Sequence, residues 1–368
     1  MNIKKFIIQI IPFGLYKWFQ KRRYHNLFLE KFKDFVVLAN KEIEFHDGKK
    51  SYESIVSVQG LGFSGSGAVL DLLSEVETCD VIGTIYDDTV SDDHKGQFEC
   101  DFLRLSGCLF EIEKYIDSSN IFQNDALLNR FVDYLNEFPL FQSNKQTQQL
   151  FLKFFKNIVE FQILDIKGTP YNHHLRGNKD GSAIFFLKHL KITEYRCLCR
   201  NFLTELFNTI NVQGKAFLVF DQLLGDFEYD SERYQEYIPD AKIILVFRDP
   251  RDIYTFATQH VMEEGWMANR NVDDFIVWYK ILTRNITKDK DNMLLVRFES
   301  LIENYDYEKK RIFNFIGIDE NDSIKRSKSF FNPAKSKKNI GIWKSNNNIP
   351  MSDFDKIAVE LKDFCFFN

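Results

Sequence analysis

Four short apolar runs, rich in β-branched and aromatic residues, punctuate the chain: Ser54–Val58, Ala216–Phe220, Lys242–Phe247 and Met293–Phe298. Runs of this length with little polar alternation suit strands buried on both faces of a parallel sheet. The stretches between them carry a different period. From about residue 98 to 160, and again around 182–211, Phe and Leu recur at threes and fours with few glycines, which predicts helices. Asp165–His174 reads as a strand end or loop. Strands separated by long helical stretches define the α/β class: a mainly parallel central sheet flanked by helices, here with a helical insertion over about 98–211. Residues 1–50 read as a helical lead-in ending at the turn signal His46-Asp47-Gly48, residues 51–345 as the α/β domain, and 346–368 as a C-terminal tail helix.

Composition narrows the function. The 368 residues carry 48 Lys and Arg against 53 Asp and Glu, a net charge of -5. That balance gives no support to a general nucleic-acid binder, so any anionic ligand must be held by a local cluster. Thirty-eight phenylalanines imply a large core. The six cysteines form no C-x-x-C pair, and Cys197-Leu-Cys199 has the wrong spacing for a zinc knuckle, so reduced thiols and no metal are expected. No secretory pattern is visible, which points to a cytoplasmic protein. Phe6–Tyr16 is too short and too interrupted to span a bilayer. Lys17, Lys21, Arg22 and Arg23 follow it, and a basic, aromatic segment of this kind suits peripheral contact with an anionic membrane surface as well as it suits a packed helix.

The chemistry concentrates at strand ends. Gly60-Leu-Gly-Phe-Ser-Gly-Ser-Gly67 follows the first strand at once, and Ala68–Leu73 opens a helix. Glycines let backbone N–H groups approach phosphate oxygens, and the helix start adds a favourable dipole. Gly62, Ser64, Gly65, Ser66, Gly67 and Ala68 are thus candidate anion-binding residues. Gly60-x-Gly62-x-x-Gly65 also matches a dinucleotide fingerprint, with Asp80 twenty residues on, which would make the chain an NAD(P)-dependent oxidoreductase. As a phosphate loop the stretch lacks the usual Lys and Ser/Thr, and a ligand-free turn is the plain alternative. The second cluster, Arg248-Asp-Pro-Arg-Asp252, ends a buried strand. A guanidinium there can meet a phosphate bidentately, Pro250 suits a first helical position, and Asp249 or Asp252 can orient the arginines. The alternative is a structural ion-pair corner.

This corner resembles the 3′-phosphate segment of sulfotransferases that use 3′-phosphoadenosine 5′-phosphosulfate, in which a strand ends in an arginine and a serine lies eight residues later. The loop Ser64–Gly67 resembles the family's 5′-phosphosulfate loop. Val296–Ile302 running into Ile312–Gly317 resembles its Glu-x-Leu turn and terminal helix. Lys337–Lys344 resembles its basic loop over the nucleotide. The resemblance covers about 54–345 without the middle helical block, and implies a fold like that of the P-loop NTPases, of bacterial type. By the resemblance, Arg248 and Arg251, with Thr255 or Thr258, take the 3′-phosphate, and Lys337 and Lys338 close over the nucleotide. The cosubstrate would be the phosphosulfate, with no metal, and the acceptor a glycan or lipid-linked precursor. Asp221, just past a strand, is the preferred general base, with His173 and His174 as further candidates. Two positions depart from the family: Gly65 stands where a Lys or Arg is usual, and Phe256 where the serine would be. A catalytically silent nucleotide-binding relative is therefore a third reading.

Overall fold

The structure is a computed structural model. It describes residues 49–82, five positions between 109 and 116, 145–163, 184–223 except 189, 231–260, 267–319 except 269, 285, 287 and 288, and 330–367. The N-terminal lead-in and its basic aromatic segment lie outside the described residues, as do His173 and His174.

The described chain divides into two compact units, one containing 108–206 and the other 49–107 with 207–368. In the second unit, five strands form one all-parallel sheet: β1 (Ser54–Gly60), β2 (Cys79–Ile82), β5 (Phe217–Asp221), β6 (Ala241–Phe247) and β7 (Met293–Arg297). Their order is β2-β5-β1-β6-β7. The apolar runs become its buried strands. Every residue of β1 is buried, as expected for a central strand covered on both faces. The short edge strand β2, Cys-Asp-Val-Ile, has no apolar run to announce it.

Helix α1 (Ser66–Ser74) buries Val69, Leu70, Leu72 and Leu73. Those positions belong to a core with Val56 and Val58 of β1, Ile244 and Val246 of β6, Leu294 and Val296 of β7, and Ile312, Phe313 and Ile316 of the terminal helix. Burial of that apolar area is the main force holding helix to sheet. Glu75, just past α1 and 2% exposed, accepts the amides of Phe330 and Phe331 at 3.1 and 3.2 Å and so fixes the segment leading to the C-terminal loop.

The first unit holds α2 (Lys145–Ile158), the antiparallel pair β3 (Val159–Ile163) and β4 (Ile184–Leu187), and most of α3 (Ile192–Ile210). Here aromatic residues build core: Phe202 lies against Phe151 at 5.0 Å and Phe154 at 4.7 Å. Arg196 pairs bidentately with Glu113 at 2.8 and 2.9 Å. The β3–β4 pair replaces helix at the start of the stretch around 182–211, because four apolar residues in a row satisfy a strand as readily as a helical turn.

The remaining elements complete the second unit. They are α4 (Ser231–Gln235), α5 (Pro250–His260), α6 (Val272–Thr283), α7 (Phe298–Glu303), α8 (Tyr305–Ile316), α9 (Pro333–Ser336) and α10 (Met351–Glu360), with 3-10 turns at Lys337–Asn339 and Ile342–Ser345.

Candidate active site

Topology places the site. From β1 the chain crosses to β2 on one side of the sheet, and from β6 it passes to β7 on the other. The switch point falls between β1 and β6, where an open α/β sheet leaves a crevice at its carboxyl edge. Those two strands are parallel neighbours with Gly60 opposite Val246, so the glycine loop and the Arg248 corner emerge side by side. On the other flank β5 pairs with β1, Val58 opposite Asp221. Asp221, the loop and Arg248 therefore stand along one edge of three adjacent strands.

The same order rules against the dinucleotide reading. There the acidic residue ends the strand next to β1. Here β5 separates β2 from β1, and Asp80 lies within β2, paired with Leu218.

The loop turns through three left-handed residues, Gly62 (φ 60), Phe63 (φ 51) and Gly65 (φ 92). Gly65 is the N-cap of α1, with no side-chain cap bond and no acidic residue in the first turn. The helix thus starts without a side-chain cap, a positive end suited to an anion, while the Ala68 amide donates to the Gly65 carbonyl at 3.0 Å. Ser64 is 1% exposed, and among the described residues its Oγ has no hydrogen-bond partner. A buried hydroxyl in that condition is costly unless a ligand completes it. A Cβ at Gly65 would lie 2.3 Å from the Phe298 ring, so no basic side chain fits there. The pair Ser64-Gly65 abuts the helix start, and the position ahead of it is Phe63.

Arg248 is 3% exposed. Its Nη1 donates to the Phe63 carbonyl at 3.2 Å, its Nη2 donates to the Asn339 carbonyl, and Asp252 stands 3.5 Å from Nη2. The rings of Phe256 and Phe298 lie 4.9 and 5.0 Å from its guanidinium carbon. Phe256 in turn stacks on Phe63 at 5.8 Å. Burial lowers the Arg248 pKa, with Asp252 and Glu299 opposing the shift. The same burial raises Asp252, against the opposing pull of Arg248 and of the Trp343 and Gly341 amides. Those amides donate to Asp252 at 3.1 and 2.8 Å, which ties the loop after Lys337 to the corner. Asp249 donates its amide to Glu299 Oε1 at 2.8 Å.

The other expected phosphate ligands are placed differently. Arg251 grips Asp249 with Nε at 3.0 Å and Nη2 at 2.6 Å, and donates to the Phe366 carbonyl. Thr255 donates its hydroxyl to the Arg251 carbonyl at 2.8 Å, and Thr258 donates to Tyr254 and Thr255 at 3.0 Å. Hydroxyl protons committed to their own helix leave nothing to donate to a phosphate. Lys337 and Lys338 are exposed at the rim. Sequence reasoning missed Phe63, Phe298 and Glu299 as partners of the corner, because their meeting is made by β1, β6 and β7 lying adjacent. Among the described residues no group of His, Cys, Asp and Glu is arranged to hold a metal ion, and no helix is long and apolar enough to cross a membrane.

Residues 234–353 match the family model of the sulfotransferase domain. Comparison with curated proteins gives no match. Solved structures similar to the chain include the sulfotransferase domain of the Synechococcus PCC 7002 olefin synthase, 13% identical with a TM-score of 0.39, covering 89% of this chain and 100% of that one. Sulfotransferase STF9 from Mycobacterium avium is 9% identical with a TM-score of 0.34, covering 87% and 78%. Retinol dehydratase in complex with androsterone and the inactive cofactor PAP is 14% identical with a TM-score of 0.34, covering 90% and 84%.

Proposed function

We propose that the protein transfers the sulfuryl group of 3′-phosphoadenosine 5′-phosphosulfate to a hydroxyl or amine of an acceptor, a glycan or lipid-linked precursor. The uncapped start of α1 and the buried Ser64 hydroxyl, which has no partner among the described residues and follows the Phe63 carbonyl bonded by Arg248, carry this reading. The residues fit the nucleotide in chemical type. Amides of Gly65, Ser66 and Gly67, with Gly62 and the hydroxyls of Ser64 and Ser66, bind the 5′-phosphosulfate. Arg248 takes the 3′-phosphate in exchange for the Asn339 carbonyl, and Lys337 and Lys338 close from the rim.

In the transfer the acceptor oxygen or nitrogen attacks sulfur, the bond from sulfur to the bridging phosphate oxygen breaks, and adenosine 3′,5′-bisphosphate leaves. Asp221 accepts the acceptor's proton. The loop amides neutralise charge on the leaving oxygen without a metal, since fixed dipoles in a water-poor crevice act strongly on developing charge. The domain acts at the cytoplasmic face of the membrane, with the basic N-terminus as the contact. Arg251, Thr255 and Thr258 support the corner from behind.

A second reading has its own observation. Gly65 and Phe256 stand where the resemblance implies a cation and a hydroxyl, and Gly65 has no room for a side chain, which favours a relative that binds the nucleotide without turnover. Calorimetry with adenosine 3′,5′-bisphosphate, followed by a labelled-donor assay over a glycan panel, separates the two. Micromolar binding that is lost in Arg248→Ala is expected, and turnover abolished in Asp221→Asn with binding spared. No binding by the wild-type protein would end the nucleotide reading. Binding without turnover on any acceptor would favour the silent relative.

A further inference from the structure

The corner is gripped from behind by the end of the chain. Asp249 and Arg251 form a bidentate pair, and that pair engages both backbone groups of Phe366: Arg251 Nη2 donates to its carbonyl at 3.0 Å, and its amide donates to Asp249 Oδ2 at 2.9 Å. Two rings approach the Arg251 guanidinium, Trp343 at 4.2 Å and Phe367 at 5.0 Å. Two residues earlier, the Phe364 carbonyl accepts from Arg297 Nη1 at 2.8 Å, and the Phe364 ring meets the buried Tyr279 at 5.3 Å. The tail is therefore anchored to the ends of β6 and β7. Trp343 belongs to the loop that carries Lys337 and Lys338, and its amide and that of Gly341 are held by Asp252. Arg251 thus contacts both the tail and the ring of Trp343.

We propose that Arg251 is a positioning residue and that Phe364–Phe367 is a strap which acts through it. By holding the Asp249–Arg251 pair in place, the strap fixes the Trp343 ring, and so sets the loop of Lys337 and Lys338 over the nucleotide. This rests on the nucleotide reading above, but the hold of the tail on the loop can be measured without it.

Phe366→Pro removes the amide bond to Asp249, and Phe367→Ala removes a ring that is 65% exposed, so neither disturbs the sheet core. Arg251→Lys keeps the charge but loses the planar fork and the stacking face. The dissociation constant for adenosine 3′,5′-bisphosphate should rise about fivefold in Phe366→Pro and about two- to fivefold in Phe367→Ala, with KM for the nucleotide rising and kcat nearly unchanged. Hydrogen exchange of the Gly341 and Trp343 amides should quicken while the β6 amides stay protected. Combining Arg251→Lys with Phe366→Pro should cost less than the sum of the two, because they act on one contact. Unchanged affinity with unchanged loop exchange would overturn the proposal, as would exchange that quickens equally in β6. Should the wild type bind no nucleotide while loop exchange still answers to the tail, the nucleotide reading falls and the strap stands.

Discussion

Gly65 and Phe298 determine each other. The glycine holds a left-handed turn at φ 92 with the Phe298 ring where its Cβ would be, and the ring lies over Arg248. Gly65→Ala should destabilise the fold by at least ~2 kcal/mol, from backbone strain and overpacking together. Thermal unfolding measures this, and nucleotide binding should fall with it. Glu299 gives a second prediction at this scale. It is fully buried, its Oε1 takes the Asp249 amide, and its Oε2 has no hydrogen-bond partner among the described residues. Burial raises its pKa above the ordinary 4.5, only partly offset by the Asp249 amide and the Arg297 charge. A carboxyl whose folded pKa is raised binds more protons folded than unfolded. Its contribution is therefore full below the ordinary value and is lost as pH rises through the folded one. Glu299→Gln keeps the acceptor and removes the titration. The Tm of the variant relative to wild type should climb as pH rises above the ordinary 4.5, and a parallel pair of curves would refute this.

Helices α7, α8 and α10 start without a side-chain cap but carry an acid in the first turn, whereas α1 has neither. The uncapped start and the absence of first-turn acids are unfavourable for an isolated helix and useful for an anion site. Nothing lies within 4 Å of a Cβ at Gly67, and the residue is exposed in the first turn. Gly67→Asp should leave Tm unchanged or raise it, since an acid there complements the helix dipole. The same charge competes with a phosphosulfate, so affinity for adenosine 3′,5′-bisphosphate should fall about tenfold or more. Equal affinity would show that the nucleotide does not use this helix end. By contrast α6 is finished in the ordinary way, with Asn271 accepting the Asp274 amide at 2.8 Å. The two helix starts differ as expected if α1 receives an anion and α6 does not.

At the level of the molecule, the chain carries a net charge of -5, against which the proposed anionic nucleotide would have to bind. Arg248 is buried, whereas Lys337 and Lys338 are exposed. Salt screens exposed charges over about 10 Å at ~0.1 M and buried ones far less. Binding should therefore weaken with ionic strength in the wild type, and a Lys337→Ala, Lys338→Ala double variant should show a flatter dependence at lower affinity. Equal slopes would remove these lysines from the site.

The strands were legible because fully buried parallel strands need uninterrupted apolar runs, and the loop and corner were legible because anion binding demands glycine at a helix start and arginine at a strand end. Three things were not written in local pattern. The edge strand β2 is too short and too polar for one, the β3–β4 pair shares its apolar residues with a helical reading, and Thr255, Thr258 and Arg251 look like ligands until their partners are known. Sequence alone determined which residue types could grip a phosphate, since that depends on backbone freedom and on charge. Which of them face one crevice was decided by strand order, because putting β6 beside β1 brings residues nearly two hundred positions apart, such as Phe63 and Arg248, within bonding distance.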